Sequence, residues 1–360
     1  MKLEYYPWSE EILRTAIKVF CNSGLPCLDL EFGAGCTLKL NTLGCIYCDS
    51  SEFVGMPNPK ELRIEDMLSL IDQGIELGLM WVYVCGLGEP KDDPKARQVI
   101  NCASQKNVNI SLFSNGINYS DEDIEFFHRN RTNLIIKCDS LDPRVFNTLL
   151  GGNEAKKLRI AESIYETIRK LIDVGYSQDP REPDLALSIV LTKLNIESAP
   201  RVLEFCKKWN LFPLIGELEN AGKASKIYNR LVPTANQLRA LNNIAKKILG
   251  YEYEIPICPA AFAGIHINSV GECIVHKQSG SSCPWFSLLE PDTISLGNVR
   301  SFTLRELRMK LVDYRKNLKE SSDLTTWIET TWSKKRLEHI FGGCGGLKLM
   351  DLWIGNKRGG

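Results

Sequence analysis

Apolar positions recur along the first two thirds of the chain in two alternating periods. Residues 9–21 repeat at helical spacing: Ser9 is placed to cap, Glu10 and Glu11 fall in the first turn, and Ile12, Ala16 and Phe20 share a face. Short apolar runs at 28–33, 81–86, 108–114, 133–138, 185–192 and 212–218 predict strands. Between them, helical patterns lie near 61–77, 94–105, 120–129, 157–174 and 198–208. The result is six β-then-α units with strands expected to be largely apolar on both faces, as a parallel sheet wrapped by helices requires. The fold class is therefore α/β. Six units suit a partial, TIM-like (β/α)6 barrel, and a doubly wound sheet satisfies the same periodicity.

A helix at about 234–249 follows Pro233 and ends at Gly250, and there the texture changes. Residues 255–300 carry Cys, Gly and Ser with short strand-like pieces, helices are expected near 303–316 and 332–341, and Gly-Gly-Cys-Gly-Gly follows. The expected organisation is an N-terminal helical segment (1–26), a β/α core (27–232) and a small cysteine-rich module (233–360).

Charge narrows the partners. Lys+Arg and Asp+Glu are equal at 44 each, so generic nucleic-acid binding is not expected. No apolar run reaches ~18 residues, and the N-terminus has no basic-then-apolar signal pattern, which points to a cytoplasmic protein without a membrane partner. Thirteen cysteines then need an explanation. In a reducing compartment they serve metal ligation, catalysis or packing rather than disulfides. Cys21, Cys27, Cys85, Cys102, Cys138 and Cys206 lie in apolar periodic segments, where a thiol behaves as a small hydrophobe.

Three others, Cys36, Cys45 and Cys48 in GCTLKLNTLGCIYCD, follow directly on the first strand. Three thiolates on one loop can hold three irons of a [4Fe–4S] cube and leave the fourth iron open. The Cys45–Cys48 spacing alone also suits a thioredoxin-like pair or half a zinc site. Further along, Gly86-Leu87-Gly88-Glu89-Pro90 ends the second strand, Ser114-Asn115-Gly116 the third, Lys137-Cys138-Asp139 the fourth, and Asn195 follows the fifth. Carboxyl ends of parallel strands are where such folds bind ligands. Local readings exist too: an Asn-Gly turn for 115–116, and helix caps for Asp139 and Asn195.

This order of elements resembles the radical S-adenosylmethionine (radical SAM) superfamily. The usual C-x3-C-x2-C spacing is stretched here to eight residues in the first gap, so the match is to topology and order. The resemblance implies that Cys36, Cys45 and Cys48 hold the SAM-binding [4Fe–4S] cluster. It implies that Tyr47 packs near the adenine, that Gly86, Gly88 and Glu89 match the Gly-Gly-Glu-Pro element holding the methionine part, and that Ser114 and Asn115 touch the ribose. Asn195 matches a recurring family Asn. Lys137, Asp139, Cys85 and Cys138 are candidate substrate-facing or catalytic residues; either thiol could donate a hydrogen atom to a carbon radical.

In the C-terminal module, Cys258, the hairpin around Gly271, and Leu296-Gly-Asn-Val with Ser301-Phe-Thr-Leu resemble the SPASM and Twitch auxiliary-cluster domains. That implies a second [4Fe–4S] cluster on Cys258, Cys273, Cys283 and Cys344, with a four-cysteine zinc site as the alternative. The family hairpin places its ligand at the position of His276; strand alternation puts Cys273 and His276 on opposite faces, and the softer Cys273 is favoured. Four cysteines suffice for one auxiliary cluster, the Twitch arrangement. The implied activity is reductive SAM cleavage and hydrogen abstraction, with an external flavodoxin- or ferredoxin-type electron donor. A ribosomally made peptide, to be crosslinked, epimerised or excised, is the first expectation for substrate. With 27 residues before the first strand, a peptide substrate implies a separate leader-binding protein. A sugar, nucleotide or cofactor precursor is the alternative: the Gly359-Gly360 tail is similar to that of GTP 3′,8-cyclases, although their second-module C-x2-C pair is missing.

Overall fold

The computed structural model describes residues 10–33, 35–36, 38, 44–48, 59–179, 181–218, 220, 222–249, 263–276, 282 and 293–317. Helix α1 (Glu10–Cys21) leads into β1 (Cys27–Phe32), and the strand-then-helix alternation follows as the periodicity predicts. The units are α2 (Ile64–Glu76), β2 (Trp81–Gly86), α3 (Pro94–Gln105), β3 (Asn109–Ser114), α4 (Asp121–Arg129), β4 (Thr132–Lys137), α5 (Pro143–Thr148), α6 (Glu154–Asp173), β5 (Leu185–Leu191), α7 (Ala199–Trp209), β6 (Phe212–Glu217) and α8 (Ala235–Leu249). Local chemistry sets the helix starts. Asp93 and Asp142 cap α3 and α5, each with proline in the first turn, and Ser120 and Asp123 close a capping box on α4. Helix α2 buries Met67, Leu70, Ile71 and Gly74, one stripe at three- and four-residue spacing.

Past α8 the chain adds β7 (Gly264–Ile267), β8 (Glu272–His276), β9 (Thr293–Asn298) and α9 (Leu304–Asn317). These strands extend the core sheet, because β7 pairs parallel with β1 and the order across the sheet is β9-β8-β7-β1-β2-β3-β4-β5-β6. The first and last strands do not meet, so the sheet is an open, partial barrel. Helix α9 locks the added hairpin onto the core. Leu304, Leu307 and Leu311 are buried, Arg308 Nε donates to the Gly24 carbonyl at 2.7 Å, and the Leu304 amide donates to Gln73 Oε1 at 2.9 Å. The helix expected at 332–341 lies outside the described residues.

The two faces of the sheet differ chemically, which corrects the expectation of strands apolar on both sides. In-register neighbours share a face. One face carries Leu28, Leu30, Val82, Val84, Ile110, Leu112, Leu134, Ile136, Leu185 and Leu187, all buried. The other carries Asp29, Glu31, Tyr83, Cys85, Ser111, Asn133, Lys137 and Ser188, with His266 from β7 beside Asp29. The apolar face is what the helices need in order to bury their own stripes. A buried face this polar costs desolvation unless its groups find partners or serve a site.

Candidate active site

The described residues of the loop after β1 are tied to the carboxyl edge of the sheet at several points. Near its start the Leu87 amide donates to Phe32 O at 3.2 Å and the Glu89 amide to Gly35 O at 3.3 Å, one residue before Cys36. At its other end Gly44 and Cys45 pair antiparallel with Gly151 and Leu150, the Ile46 amide donates to Leu149 O, and the Cys48 carbonyl accepts from the Lys223 amide. The loop thus spans from the end of β2 to the segment beyond β4. Gly86 permits the first contact, because a Cβ there would lie 2.8 Å from Phe32 O.

Cys36, Cys45 and Cys48 are half-buried and form no disulfide. Burial pushes Cys45 up to about 12; the Lys137 ammonium pulls it back, while charge on Cys48, Asp139 and Cys36 adds to the rise. Three sulfurs close enough to act on one another, with the Cys45 thiol held up by burial, gain from a bound cation that stabilises the thiolate form. That donor set fits a [4Fe–4S] cubane held by three cysteines.

Glu89 lies at the end of β2, 1% exposed. Its Oε2 accepts from the Asn115 amide at 2.7 Å and its Oε1 from the Lys91 amide at 3.2 Å. Burial pushes the carboxyl up to about 7, against the pull of the Asn115 amide, the Ser114 hydroxyl and the Lys91 amide. A carboxylate so placed gains most from a cationic ligand, which would restore its ionised form. The turn supplying the Asn115 amide is shaped by Gly116, at φ +73°, where a Cβ would lie 2.6 Å from Ile136 Cγ2. Asn115 Oδ1 accepts from the Ile117 amide at 2.9 Å, and the Gly116 amide donates to Ser114 Oγ at 3.1 Å. Gly116→Ala should therefore destabilise the protein by about 1–3 kcal/mol through left-handed backbone strain, with the clash added. Urea denaturation checks this, and an unshifted midpoint would mean the turn relaxes at no cost.

At the end of β4, Lys137 Nζ donates to Asp139 Oδ2 and to the Tyr47 hydroxyl, and that hydroxyl donates to Asp139. The ammonium also lies 4.5 Å from the centre of the Tyr47 ring. Asp139 is fully buried, and its Oδ1 accepts from the Val190 amide at 2.9 Å. It does not cap α5; Asp142 does that. Asn195 does not cap α7 either. Its Nδ2 donates to the carbonyls of Asp139 and Val190, and its Oδ1 accepts from the Thr192 amide and hydroxyl, binding the end of β5 to the end of β4. Tyr47, Lys137, Asp139 and Asn195 thus form one network beside Cys45.

The candidate thiols separate. Cys85 lies on the polar face, and its Sγ donates to Asp29 Oδ1 at 3.0 Å. Cys138 follows Ile136 at strand spacing onto the helix side, where burial raises its thiol above the ordinary range and it influences Cys206 of α7. Cys273 pairs with Ile267, hence on the apolar face with Leu30, fully buried. Burial pushes it up to about 12, with Arg315 and Lys310 of α9 pulling the other way. Cys258, Cys283, Cys344 and the side chain of His276 lie outside the described residues. Asp29, Glu31 and His266, which sequence reasoning passed over, converge with Cys85 on the polar face. The Leu-Asp-Leu-Glu-Phe alternation signals the two acids; the join of β7 to β1 has no local signal.

Residues 30–206 match the family model described as the Radical SAM superfamily. Among curated relatives, the sporulation killing factor maturation protein SkfB of Bacillus subtilis is 26% identical over 229 residues, covering 62% of this chain and 51% of SkfB. A probable GTP 3′,8-cyclase of Methanococcus vannielii is 26% identical over 178 residues, covering 48% of this chain and 52% of the cyclase. The chain spans about half the length of these two relatives. Among solved structures, SuiB of Streptococcus suis bound to S-adenosylmethionine superposes with a TM-score of 0.58 at 13% identity, covering 88% of this chain and 78% of SuiB. Its complex with the precursor peptide SuiA gives 0.56 at 12% identity, covering 88% and 76%. At such identities the likeness is one of fold, the α/β partial barrel with a mostly parallel sheet. No helix among the described residues is long and apolar enough to cross a membrane.

Proposed function

We propose that this chain, which carries a radical SAM superfamily enzyme domain over residues 30–206, reductively cleaves S-adenosylmethionine and modifies a ribosomally synthesised peptide. The observation that carries the first half is the gathering of Cys36, Cys45 and Cys48 at the carboxyl edge of the sheet, where Gly35, next to Cys36, accepts from the backbone amide of the buried Glu89. When bound, a [4Fe–4S] cluster and SAM supply methionine and a 5′-deoxyadenosyl radical able to abstract a substrate hydrogen.

The chain's own residues do the holding. Cys36, Cys45 and Cys48 ligate, leaving one iron open. Glu89 receives the ammonium of the methionine moiety, Gly86 and Gly88 let the backbone come close, Ser114 and Asn115 meet the ribose, Tyr47 borders the adenine, and Asn195 belongs to the cofactor site as the residue that ties the ends of β4 and β5 together. Lys137 and Asp139 keep the loop end in place. A second cluster on Cys258, Cys273, Cys283 and Cys344 belongs to this reading, as do a flavodoxin- or ferredoxin-type donor, a separate leader-binding protein and a reducing cytoplasm that keeps cysteines out of disulfides.

The peptide substrate is supported by SkfB, whose name is that of a maturation protein, and by SuiB, seen with a precursor peptide. The cyclase relative favours a second reading, a small molecule of the nucleotide class. Anaerobic incubation with SAM, reductant and short peptides encoded beside the gene separates the two. Peptide-dependent 5′-deoxyadenosine release with a peptide mass change is expected; release driven only by nucleotides would overturn the peptide half.

Glu89 adds a pH signature. With the carboxyl at about 7 and the ligand ammonium still protonated below ~7.7, SAM affinity should rise nearly tenfold per pH unit from 5.5 towards 7 and then level off. Glu89→Gln removes a charge-assisted hydrogen bond of about 1.5–3 kcal/mol, so affinity at pH 7.5 should fall roughly 10–150-fold and the pH slope should vanish. Calorimetric titration of the iron-loaded protein reads both. Equal affinities would reduce the GLGEP turn to architecture.

A further inference from the structure

Apart from the cysteine loop, the polar face holds a second cluster on three adjacent strands. Asp29 comes from β1, Cys85 from β2 and His266 from β7, with Asp29 in register with His266 and Glu31 with Cys85. All are buried, and His266 is fully so. Asp29 Oδ1 lies 3.0 Å from Cys85 Sγ and 3.7 Å from His266 Nδ1, and one ligand atom from each of the three residues falls within 4.8 Å of the others. On the far side of the ring, His266 Nε2 is 3.9 Å from Glu31 Oε2, while Glu31 Oε1 accepts from the Ser269 amide at 3.1 Å. Neither ring nitrogen of His266 reaches a hydrogen-bond partner.

A neutral buried imidazole with both nitrogens out of hydrogen-bond reach is costly, and the Asp29 and Glu31 carboxylates on its two sides favour positive charge here, carried by an imidazolium or by a bound metal ion. A metal cation between the three ligand atoms would give Nδ1 a partner and leave Nε2–H facing the Glu31 carboxylate. Around a tetrahedral ion with bonds of about 2.0–2.3 Å, ligand atoms lie roughly 3.3–3.5 Å apart. The two spacings from Asp29, 3.0 Å to Cys85 and 3.7 Å to His266, lie within a few tenths of an ångström of that value, and the Cys85–His266 spacing stays within 4.8 Å.

We propose that Asp29, Cys85 and His266 Nδ1 bind a divalent ion of the zinc type inside the partial barrel, apart from the cysteine loop. One sulfur, one nitrogen and one oxygen donor suit a borderline cation. Three protein ligands leave one coordination position for water or for an oxygen or sulfur donor of a substrate. Glu31 fills the outer role, a carboxylate facing the other ring nitrogen of a ligating histidine and fixing its tautomer. The ion would also clamp the added β7 hairpin to the barrel strands, because its ligands come from both. Metal binding at these three residues is independent of SAM chemistry.

The test uses full-length, anaerobically reconstituted protein given one equivalent of zinc chloride and then desalted. Zinc outranks residual ferrous iron for such a donor set. Mass-spectrometric metal analysis should find one retained zinc per chain, with cluster iron unchanged. Zinc-edge X-ray absorption should show a single sulfur at about 2.3 Å with lighter donors at about 2.0–2.1 Å. His266→Ala and Asp29→Asn should each lose the zinc and keep the iron. The wild-type measurement decides the matter even if a variant fails to fold. No retained zinc, zinc with two or more sulfur ligands, or zinc retained by a folded His266→Ala protein would each overturn the site.

Discussion

Protein carrying Cys36→Ala, Cys45→Ala and Cys48→Ala together should hold about half the iron of wild type and release no 5′-deoxyadenosine. Wild type should reach about eight irons after anaerobic reconstitution, four per cubane. The loss is expected to be complete because the open iron that binds SAM exists only when three thiolates hold the other three. The fold should survive. The loop is anchored by backbone contacts to Phe32, Gly35, Leu149–Gly151 and Lys223 that do not involve the thiols. Removing Cys45 also takes a group that burial pushes up to about 12 out of a water-poor spot, which costs the metal-free fold little. Iron counting, the cluster's visible absorption and chromatography of the SAM products read the outcome together. Full iron retention, or persistent cleavage, would remove these three cysteines from the site. A fall to zero iron rather than to half would instead count against a second cluster in the C-terminal module.

Much of this architecture is legible in the sequence because the deciding signals are local. Six apolar runs divided by amphipathic helices give the order of elements, and proline and aspartate at 93–94 and 142–143 fix where helices start. What stayed hidden is non-local. Gly264–Ile267 reads as one arm of a hairpin, and nothing in four residues says that it will lie parallel to β1 and set His266 beside Asp29. The polar face was half visible. Asp29 and Glu31 alternate with Leu28, Leu30 and Phe32 at strand spacing, but an eye for an apolar run skips them. The roles of Asp139 and Asn195 also needed the fold. Each stands where a helix cap would be reasonable, and only the register of β4 against β5 shows Asp139 facing the Val190 amide and Asn195 spanning both strands.

Asp139→Ala should be the most destabilising single change at the site, by about 3–5 kcal/mol, the range for removing one partner of a buried ion pair. Asp139 is fully buried, and the Lys137 side chain is 17% exposed. Burial pulls the Lys137 ammonium down, but Asp139 and the neighbouring Cys45 and Cys48 more than offset this, so it is held above its usual range. Without Asp139 that cation keeps only the Tyr47 hydroxyl and the thiols, and the Val190 amide loses its acceptor. The cost then falls on the loop end, since Tyr47 sits between Cys45 and Cys48 and is tied to both charged groups. Lys137→Met alone should cost less than Asp139→Ala, because the remaining carboxylate retains the Val190 amide and the Tyr47 hydroxyl. In the double variant much of the loss should return, because no charge is left unpaired. Denaturation midpoints of the metal-free proteins close the cycle. Strictly additive losses would mean that Lys137 and Asp139 stabilise the site independently and that the short contacts between them carry no coupling.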